Sequence, residues 1–449
     1  MKKLLDIHME KALFLCIKLR TNIDPPYNTG GDFVYPDDFT DNIENYKKIT
    51  GQVDDEGNKL STNSEANGRY HTDWLNMMYP RLRLARNLLS DDGVIFISID
   101  DIEVRNLRIM CDEVFGEDNF ISNAIWEKKF SPQNDAKWLS DNHDHILIYA
   151  RNKDIWHPHK LQRNEANNAR FSNPDNDPRG VWASSDMTVK TYSADYDYPI
   201  TTPSGKEIMP TQGRCWSMPK GKFADLIADN RVWFGQNGGN VPRYKTFLSE
   251  IEDEGIVPMT IWKYTDVGHN QEARQECKDL FGGFGLFDSP KPVRLLKFML
   301  ALGSDKDCLV IDFFSGAATT SHAVMQMNAD DNGNRKFIMV QLPEPTAEKS
   351  EAYKAGYKNI CEIGKERIRR AGEKIKEEAG LLAQNLDIGF KVFKLDSSNL
   401  RKWNPASAYE KQEDGKPNSV QKSLKLYCKK AFQIIWTAEL KWMSSMKSC

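Results

Sequence analysis

A four-residue segment near the start of the chain combines a carboxylate, two prolines and an aromatic ring. It reads Asp24-Pro25-Pro26-Tyr27 and follows the apolar run LFLCIKLRTNI, which is typical of a strand. Each proline has a fixed φ angle and no N–H, and the residue before a proline is biased toward an extended conformation. The turn therefore offers carbonyl acceptors and withholds donors, and such a site suits an NH2 group.

The exocyclic amine of a nucleobase is the group that fits this acceptor site. Its lone pair is delocalised into the ring, and hydrogen bonds from both N–H atoms to a carboxylate and a main-chain carbonyl would localise that pair for attack. Tyr27 would stack on the base, which must leave the helix to reach such a pocket. The alternative is a rigid turn with a capping Asp24, because four-residue patterns recur by accident.

A second pattern, VIDFFSGAATTSHAV at residues 310 to 324, predicts a strand that ends in Asp312, a turn of small residues and the start of a helix. Such a turn lets a ligand approach backbone N–H groups at the positive end of a helix. It is neither a GxGxxG fingerprint nor a phosphate loop, and ordinary α/β proteins have similar turns. The next strand, KFIMVQL, ends in Gln341 and precedes Glu344, where a ribose-binding polar group belongs.

Alternating strands and helices are expected on both sides of an irregular region. Residues 13 to 150 and 292 to 342 alternate, whereas residues 151 to 285 are rich in Pro, Gly, Asn, Asp and aromatic residues. This favours an α/β fold with one open, mostly parallel sheet built from both ends of the chain. The expected elements are a strand before Asp24, a helix at 71–89 with Trp74, Met78, Leu82, Ala85 and Leu89 near one face, a strand at 93–99, a helix near 102–115, strands in FISNAIWE and HILIYA, the helix PVRLLKFMLALG, the strand CLVIDFF, the helix TTSHAVMQMN and the strand KFIMVQL.

Composition excludes several classes of protein. The 449 residues carry a formal net charge of -3 and contain no run of apolar residues long enough for a membrane span, so no membrane partner is expected and the cytoplasm is the expected location. The eight cysteines form no CxxC pair, which indicates reduced thiols. The histidines of HDH (143–145) and HPH (157–159) lack an acidic or cysteine partner at ligand spacing, so no metal site is expected. The arginines in GKERIRRAGEKIKEEAG are interpreted as a solvated face, with Arg367, Arg369 and Arg370 as candidates for phosphate contacts.

The order of these motifs resembles the permuted (β) class of amino-methylating DNA methyltransferases, in which the catalytic motif precedes the S-adenosylmethionine motif and a target-recognition region lies between them. Longer segments resemble the modification subunit of type III restriction-modification systems over about residues 22 to 403. They are DPPYNTGGDFVYPDDF, HTDWLNMMYPRLRLARNLLSDDGVIFISIDD, DSPKPVRLLKFM, DFFSGAATTSHAVMQMN, RKFIMVQLPE and FKVFKLDSSN.

The resemblance implies a Rossmann-like S-adenosylmethionine-dependent methyltransferase fold with an inserted target-recognition domain. It also implies adenine-N6 methylation of double-stranded DNA by direct in-line transfer, without a cysteine nucleophile. In the catalytic loop Asp24, Pro25, Pro26 and Tyr27, the Asp24 carboxylate, the Pro25 carbonyl and the Tyr27 ring would hold the flipped adenine. The implied cofactor residues are Asp312, Phe314, Ser315 and Gly316 as the floor of the pocket, Thr319 at the start of the helix, Lys291 and Pro292 on the other side, and Gln341 or Glu344 at the ribose.

The predicted domains are a catalytic half (1–150), a target-recognition insert (151–285), a cofactor-binding half (286–400) and a divergent C-terminal segment (401–449). A homodimer and a restriction (helicase-nuclease) subunit are the partners that the resemblance implies. Members of the family usually carry more residues before the catalytic loop and after residue 403, so a truncated, non-catalytic DNA-binding remnant is an alternative hypothesis.

Two other activities are compatible with an acceptor pocket. Cytosine N4 offers the same two hydrogen bonds as adenine N6. Methylation of a protein glutamine amide uses similar chemistry, but Asp24 and the permuted motif order count against it.

Overall fold

The computed structural model describes residues 19–27, 69–134, 136–380 and 386–394. The chain forms two compact units, residues 1–388 and 389–449. All helices and strands of the described residues lie in the first unit, and residues 389–394 of the second carry neither. The first residues of the predicted N-terminal strand, the segment between Tyr27 and Arg69, and the C-terminal segment 401–449 fall outside the described residues.

The strands are numbered β1 to β14 and the helices α1 to α11 along the described residues. The strands are β1 (Leu19–Ile23), β2 (Val94–Ile99), β3 (Phe120–Glu127), β4 (His143–Ala150), β5 (Trp182–Asp186), β6 (Thr188–Val189), β7 (Ile200–Thr201), β8 (Glu207–Ile208), β9 (Cys215–Trp216), β10 (Val232–Trp233), β11 (Arg243–Phe247), β12 (Ile261–Trp262), β13 (Leu309–Asp312) and β14 (Lys336–Met339). The helices are α1 (Arg69–Leu88), α2 (Val104–Phe115), α3 (Glu165–Asn168), α4 (Lys220–Ala228), α5 (Leu248–Ile251), α6 (Tyr264–Val267), α7 (Asn270–Leu280), α8 (Val293–Gly303), α9 (Thr319–Asp331), α10 (Glu351–Lys354) and α11 (Ile360–Ala379), with 3-10 turns at Glu117–Asn119 and Ala194–Tyr196.

The main sheet has seven strands in the order β12-β3-β4-β2-β1-β13-β14. Four of its six strand pairings are parallel, and only the two pairings of β4 are antiparallel. The N-terminal strand β1 lies between β2 and the C-terminal strand β13. The prediction of one mostly parallel α/β sheet built from both ends of the chain is confirmed.

Helices cover both faces of this sheet. In β2 every residue is buried, and Ile95 and Ile97 pack with α1 and α2, whereas Val94 and Phe96 pack with α8 and α9. A strand that is buried on both faces requires apolar residues throughout, because successive side chains point to opposite sides. This explains why GVIFISI is apolar except for the small, buried Ser98.

Helix α1 confirms the predicted apolar face. Trp74, Met78, Leu82 and Ala85 are buried within it, and Leu89 is buried directly after it. These residues lie three or four positions apart, which is the spacing that places side chains on one side of a helix. The face packs on the strands that carry the candidate site.

The irregular region between residues 151 and 285 contains three small sheets, β10-β11-β5, β6-β9 and β7-β8. A second apolar cluster fills part of it, with Met187, Trp216 and Phe223 buried. Its last part joins the core, because β12 pairs with β3 as the edge strand of the main sheet. The proposed boundary at residue 285 stays a prediction.

None of the helices in the described residues is both long and apolar enough to cross a membrane.

Candidate active site

The carboxyl ends of β1 and β13 lie side by side. Thr21 is opposite Ile311 in the parallel pairing, so Asp24 directly after β1 and Asp312 at the end of β13 reach the same edge of the sheet. The negative charge of Asp24 contributes to a raised pKa of Asp312, as expected for neighbouring carboxyl groups. The two motifs that the sequence separates by almost 300 residues therefore meet, at the edge where open α/β sheets bind ligands.

Helix α1 anchors the proline-rich loop. The indole Nε1 of fully buried Trp74 donates a hydrogen bond of 2.6 Å to the carbonyl oxygen of Pro26. Pro25 is buried, and both proline rings limit the backbone to a narrow range of φ. The loop that carries Asp24 is thus held by a tertiary hydrogen bond and by its own covalent geometry.

Asp24 is an acidic group in a partly buried setting. Its side chain keeps 31% of its accessible surface, and its Oδ1 lies 3.1 Å from Lys291 Nζ. Burial raises the pKa of Asp24, the Lys291 ammonium opposes that rise, and the charge of Asp144 adds to it. The carboxylate is an ion-paired hydrogen-bond acceptor that can also take up a proton more readily than an exposed aspartate.

Tyr27 is fixed through its hydroxyl group. Lys291 Nζ donates to Tyr27 Oη at 2.7 Å, and Tyr27 Oη donates to Asp144 Oδ2 at 3.4 Å. The Lys291 ammonium also lies 4.7 Å from the centroid of the tyrosine ring. Burial raises the pKa of Tyr27 well above its usual value, and the charges of Asp24 and Asp144 act in the same direction, so the hydroxyl stays protonated.

Sequence reasoning missed two charged residues of this site, Lys128 and Asp144. Lys128 Nζ lies 2.7 Å from Asp144 Oδ1 and 2.9 Å from Asp141 Oδ2, and Lys291 Nζ lies 3.7 Å from Asp144 Oδ2. Strand β4 runs antiparallel to β2, so its first residues reach the same edge as the carboxyl ends of β1 and β2. The available signal was the acid in HDHILIYA, which lies between two histidines directly before an apolar run.

The small-residue turn after β13 is organised by Asp312. Its Oδ1 accepts from the Phe314 N–H at 3.1 Å, and its Oδ2 accepts from the Thr320 hydroxyl at 2.6 Å. Burial raises the pKa of Asp312 to about 7, although both hydrogen bonds favour the charged form. Ala318 has a left-handed φ of 61° directly before α9, so the turn is sharp enough to present the start of that helix.

Space around Gly316 is limited on two sides. Gly316 has a φ of +47°, and a Cβ there would lie 3.2 Å from Phe287 Cζ, while a Cβ on Gly364 of α11 would lie 3.4 Å from the Gly316 carbonyl oxygen. The Gly316 N–H donates to Gln341 Oε1 at 2.8 Å. A glycine cradle, a helix N-terminus and a side-chain amide form a donor and acceptor set that suits a nucleoside-containing cofactor.

The other predicted cofactor residues lie around this turn or next to the loop. Lys291 contacts the catalytic loop, as described above. The remaining positions are Phe314 and Ser315, both buried in the turn, Thr319, which is buried at the first position of α9, Pro292, which is buried directly before α8, and Glu344, which is partly buried after β14. Their roles toward a cofactor stay predictions.

The histidines of HDH have an acidic neighbour that the sequence did not reveal. His145 Nε2 lies 2.8 Å from Asp101 Oδ1 and His143 Nε2 lies 3.8 Å from Asp101 Oδ2, with the three ligand atoms within 4.8 Å of one another. In HPH, His159 faces Asp305 instead, at 3.4 Å. The absence of a metal site stays a prediction.

Comparison with known proteins places this geometry in a family. Residues 21–373 match the model of the DNA methylase family N6_N4_Mtase. The chain is similar to the Mod subunit of the type III restriction-modification enzyme StyLTI of Salmonella typhimurium, with 39% identity over 83% of this chain and 56% of that protein. It is also similar to the Mod subunits of EcoPI from Escherichia phage P1, with 34% identity over 82% of this chain and 60% of that protein, and of EcoP15I from Escherichia coli, with 29% identity over 86% and 63%.

The chain therefore spans less than two thirds of the length of these relatives. The family match itself extends from β1 through most of α11 and includes both motifs at the sheet edge. The chain belongs to the DNA methylase family.

Proposed function

We propose that this chain transfers a methyl group from S-adenosylmethionine to adenine N6 in double-stranded DNA, as the modification component of a restriction-modification system. The observation that carries the proposal is the adjacency of β1 and β13, which brings the acceptor loop of Asp24 next to the turn at Gly316. One methyl group can pass between ligands of these two segments only if they share an edge.

The residues of the loop would activate the amine by accepting its hydrogens. The Asp24 carboxylate and the Pro25 carbonyl would accept the two N–H groups, and Tyr27 would stack on the base, so that the nitrogen lone pair points toward the donor. S-adenosylmethionine, when bound, supplies a methyl group on a positively charged sulfur. Positioning and electrostatics then provide most of the rate acceleration.

The raised pKa of Asp24 favours the last step of the reaction, in which the methylated amine loses a proton. Adenine N6 does not need to lose a proton before attack, because its N–H becomes acidic only after the nitrogen has gained positive charge. A carboxylate of raised pKa accepts that proton more readily than an ordinary aspartate. Asp24 would therefore act first as a hydrogen-bond acceptor and then as a proton acceptor.

The turn after β13 would hold the cofactor. Its backbone amides lie at the start of the 13-residue helix α9, Gly316 has no side chain to crowd the turn, and Gln341 binds that turn through the Gly316 N–H. Gln341 or Glu344 would meet the ribose, and Lys291 and Pro292 lie on the opposite side. Asp312 would act indirectly, by fixing the turn through Phe314 and Thr320.

We also propose partners and a location for this chain. The relatives named Mod subunits belong to restriction-modification enzymes. We extend this to a restriction (helicase-nuclease) subunit, a homodimer, the cytoplasm as the location, and residues 151–285 as the region that reads the DNA sequence.

Transfer of labelled methyl groups to duplex DNA of mixed sequence tests the proposal. We expect incorporation with wild-type protein, loss with Asp24→Ala, and wild-type incorporation with Asp307→Asn, which alters an exposed aspartate shortly before β13. Digestion of the product to nucleosides should yield N6-methyladenine. N4-methylcytosine would assign the alternative amine, whereas DNA binding without incorporation by wild type would indicate a non-catalytic remnant.

A further inference from the structure

We propose that Asp144 is a positioning residue of the acceptor pocket, which holds Lys291 in simultaneous contact with Asp24 and Tyr27. This inference rests on the proposed function, because it assigns a role within the same site. Asp144 lies outside the loop and outside the turn after β13, and it contacts the loop only through the Tyr27 hydroxyl.

Asp144 is a buried carboxylate with two cationic partners. Its side chain is 3% exposed, its Oδ1 lies 2.7 Å from Lys128 Nζ, and its Oδ2 lies 3.7 Å from Lys291 Nζ. Its Oδ2 also accepts the hydrogen bond from Tyr27. The ion pairs of a buried carboxylate with such partners are hard to break, because removal of one member leaves another charge buried without compensation.

Lys291 connects Asp144 to the two side chains that would meet the base. Its ammonium lies 3.1 Å from Asp24 Oδ1 and donates to Tyr27 Oη at 2.7 Å. It also lies 5.2 Å from the centroid of the Trp126 ring. A lysine has a flexible four-carbon stem, so its ammonium stays at one point only when several fixed groups hold it.

The position of Lys291 matters because Asp24 must be ionised and correctly oriented. A carboxylate has about four lone-pair sites. One contact with Lys291 therefore leaves capacity for the amine. The ammonium also counters the burial that raises the pKa of Asp24. Because misplacement by about 1 Å can cost on the order of 100-fold in rate, a fixed Lys291 has a direct catalytic benefit.

The sheet topology supplies this arrangement. Glu127 at the end of β3 is opposite His143 at the start of β4, so Lys128 and Asp144 are neighbours at the sheet edge. Lys291 comes from the segment before α8, on the other side of the irregular region. The end of β3, the start of β4 and the segment before α8 thus meet next to the loop of Asp24.

Two opposite effects of Asp144 on Asp24 make the inference testable. Among the described residues, the charged or titratable groups that act on Asp24 are Lys291, Asp144 and Tyr27, and Asp312 lies near enough to respond to Asp24. If Asp144 acted only through its own charge, its neutralisation would lower the pKa of Asp24. If it holds Lys291 in place, its neutralisation releases that ammonium and the pKa of Asp24 rises.

The experiment compares Asp144→Asn, which keeps the shape and removes the charge, with Lys291→Met and with the double variant. We expect kcat to fall by about 10- to 100-fold in each single variant, and Asp144→Asn should leave the affinity for S-adenosylmethionine in the absence of DNA unchanged. The kcat of the double variant should be no lower than that of the less active single variant, because Asp144 and Lys291 act as one unit. Asp307→Asn and Lys349→Met, which alter exposed residues outside the irregular region, are the matched controls.

A titration that needs no turnover separates this inference from the proposed function. The Asp24 carboxyl is followed by NMR in protein with carbon-13 at aspartate Cγ, and its signal is assigned by its loss in Asp24→Asn. A higher Asp24 pKa in Asp144→Asn supports positioning, and a lower or unchanged pKa overturns it. Three other results would also overturn it. They are an unchanged kcat in the single variants, losses of kcat that add up in the double variant, and a fall of both cofactor affinity and Tm in Asp144→Asn. Absence of methyl transfer by wild type would refute the proposed function and leave the titration to decide this inference.

Discussion

Trp74 on α1 donates a hydrogen bond from its indole to the carbonyl oxygen of Pro26, across 48 positions in sequence. This bond satisfies a partly buried acceptor and connects the loop of Asp24 to the helical layer beneath the sheet. The orientation of the acceptor loop thus depends on a residue that lies in the core and touches no ligand.

We expect Trp74→Phe to weaken both folding and catalysis. The Pro26 carbonyl loses its donor, which should lower the free energy of unfolding by about 1–3 kcal/mol, and the smaller phenyl ring leaves a cavity that lowers it further. The loosened loop should reduce kcat more than cofactor affinity. Urea denaturation and single-turnover methyl transfer measure the two effects. Trp138→Phe, at a side chain that is 84% exposed, is the control, and equal effects of the two variants would contradict the role of the hydrogen bond.

The buried Asp312 should make stability depend on pH. The pKa of Asp312 is raised to about 7 in the folded protein. Between the ordinary pKa of an aspartate and about pH 7, the folded protein therefore keeps a proton on Asp312 that the unfolded chain has released. The contribution of Asp312 to stability is therefore greatest below that ordinary pKa, falls as the pH rises toward about 7, and is constant above it.

Comparison of wild type with Asp312→Asn isolates this dependence. The difference in unfolding free energy, wild type minus variant, should decrease between about pH 4 and pH 7 and then level off. Asp307→Asn, an exposed aspartate before the same strand, should give a difference that barely changes with pH. A wild-type advantage that grows with pH would show that Asp312 is ionised in the folded protein.

Gly316→Ala should reduce cofactor affinity for steric reasons. The added Cβ would lie 3.2 Å from Phe287 Cζ at a position with a φ of +47°. Gly380→Ala is a matched control, because Gly380 has a φ of +53° and open space around its Cβ position. Both variants should lose about 1 kcal/mol through backbone strain. Only Gly316→Ala should raise the Kd for S-adenosylmethionine, by at least about tenfold, which is 1.4 kcal/mol.

Calorimetric titration of both glycine variants with S-adenosylmethionine makes this comparison. Equal Kd values would indicate that the cofactor does not approach the turn at residue 316.

Arg367 should be replaceable with a gain in stability. Sequence reasoning grouped it with Arg369 and Arg370 as a candidate phosphate contact, but Arg367 is 0% exposed and cannot reach DNA from its place in α11. Its guanidinium has no hydrogen-bond partner among the described residues, and burial lowers its pKa. Arg367→Met replaces this buried guanidinium, which in the described part of the chain has no hydrogen bond and only the charge of Glu276 opposite it, by an apolar side chain of similar volume, and we expect the free energy of unfolding to rise by about 1–4 kcal/mol.

Chemical denaturation of Arg367→Met and Arg369→Met tests this expectation. Arg369 is 55% exposed and forms a surface ion pair with Glu366, so its replacement should change stability by about 0.5 kcal/mol or less. A less stable Arg367→Met protein would mean that the buried guanidinium has a stabilising partner.

The sequence predicted the main elements because their residues repeat at the spacing of the structure they form. The buried run of β2 and the three- and four-residue spacing of Trp74, Met78 and Leu82 are local signals. The meeting of Asp24 with the turn at Gly316 follows from the single, mostly parallel sheet that the sequence predicted, because parallel strands place their carboxyl ends on one edge.

The parts that sequence reasoning missed depend on non-local pairing. Asp144 reaches the site only because β4 is antiparallel to β2, and no local pattern encodes that direction. Arg367 was misinterpreted because α11 is charged on most of its surface, so an inward-facing arginine looks like its neighbours. The edge strand β12 has only two residues, too few for a period to be recognised.

That short edge strand sets a constraint on chimeric proteins. Ile261 and Trp262 pair with Ile125 and Trp126, and Ile125 N–H donates to the Thr260 carbonyl at 2.8 Å. Lys128 lies directly after β3, two residues beyond Trp126. A swap of the irregular region between relatives, which would test our proposal that this region reads the DNA sequence, should therefore place the downstream junction before Met259, so that the recipient keeps its own edge strand and the ion pairs beyond it.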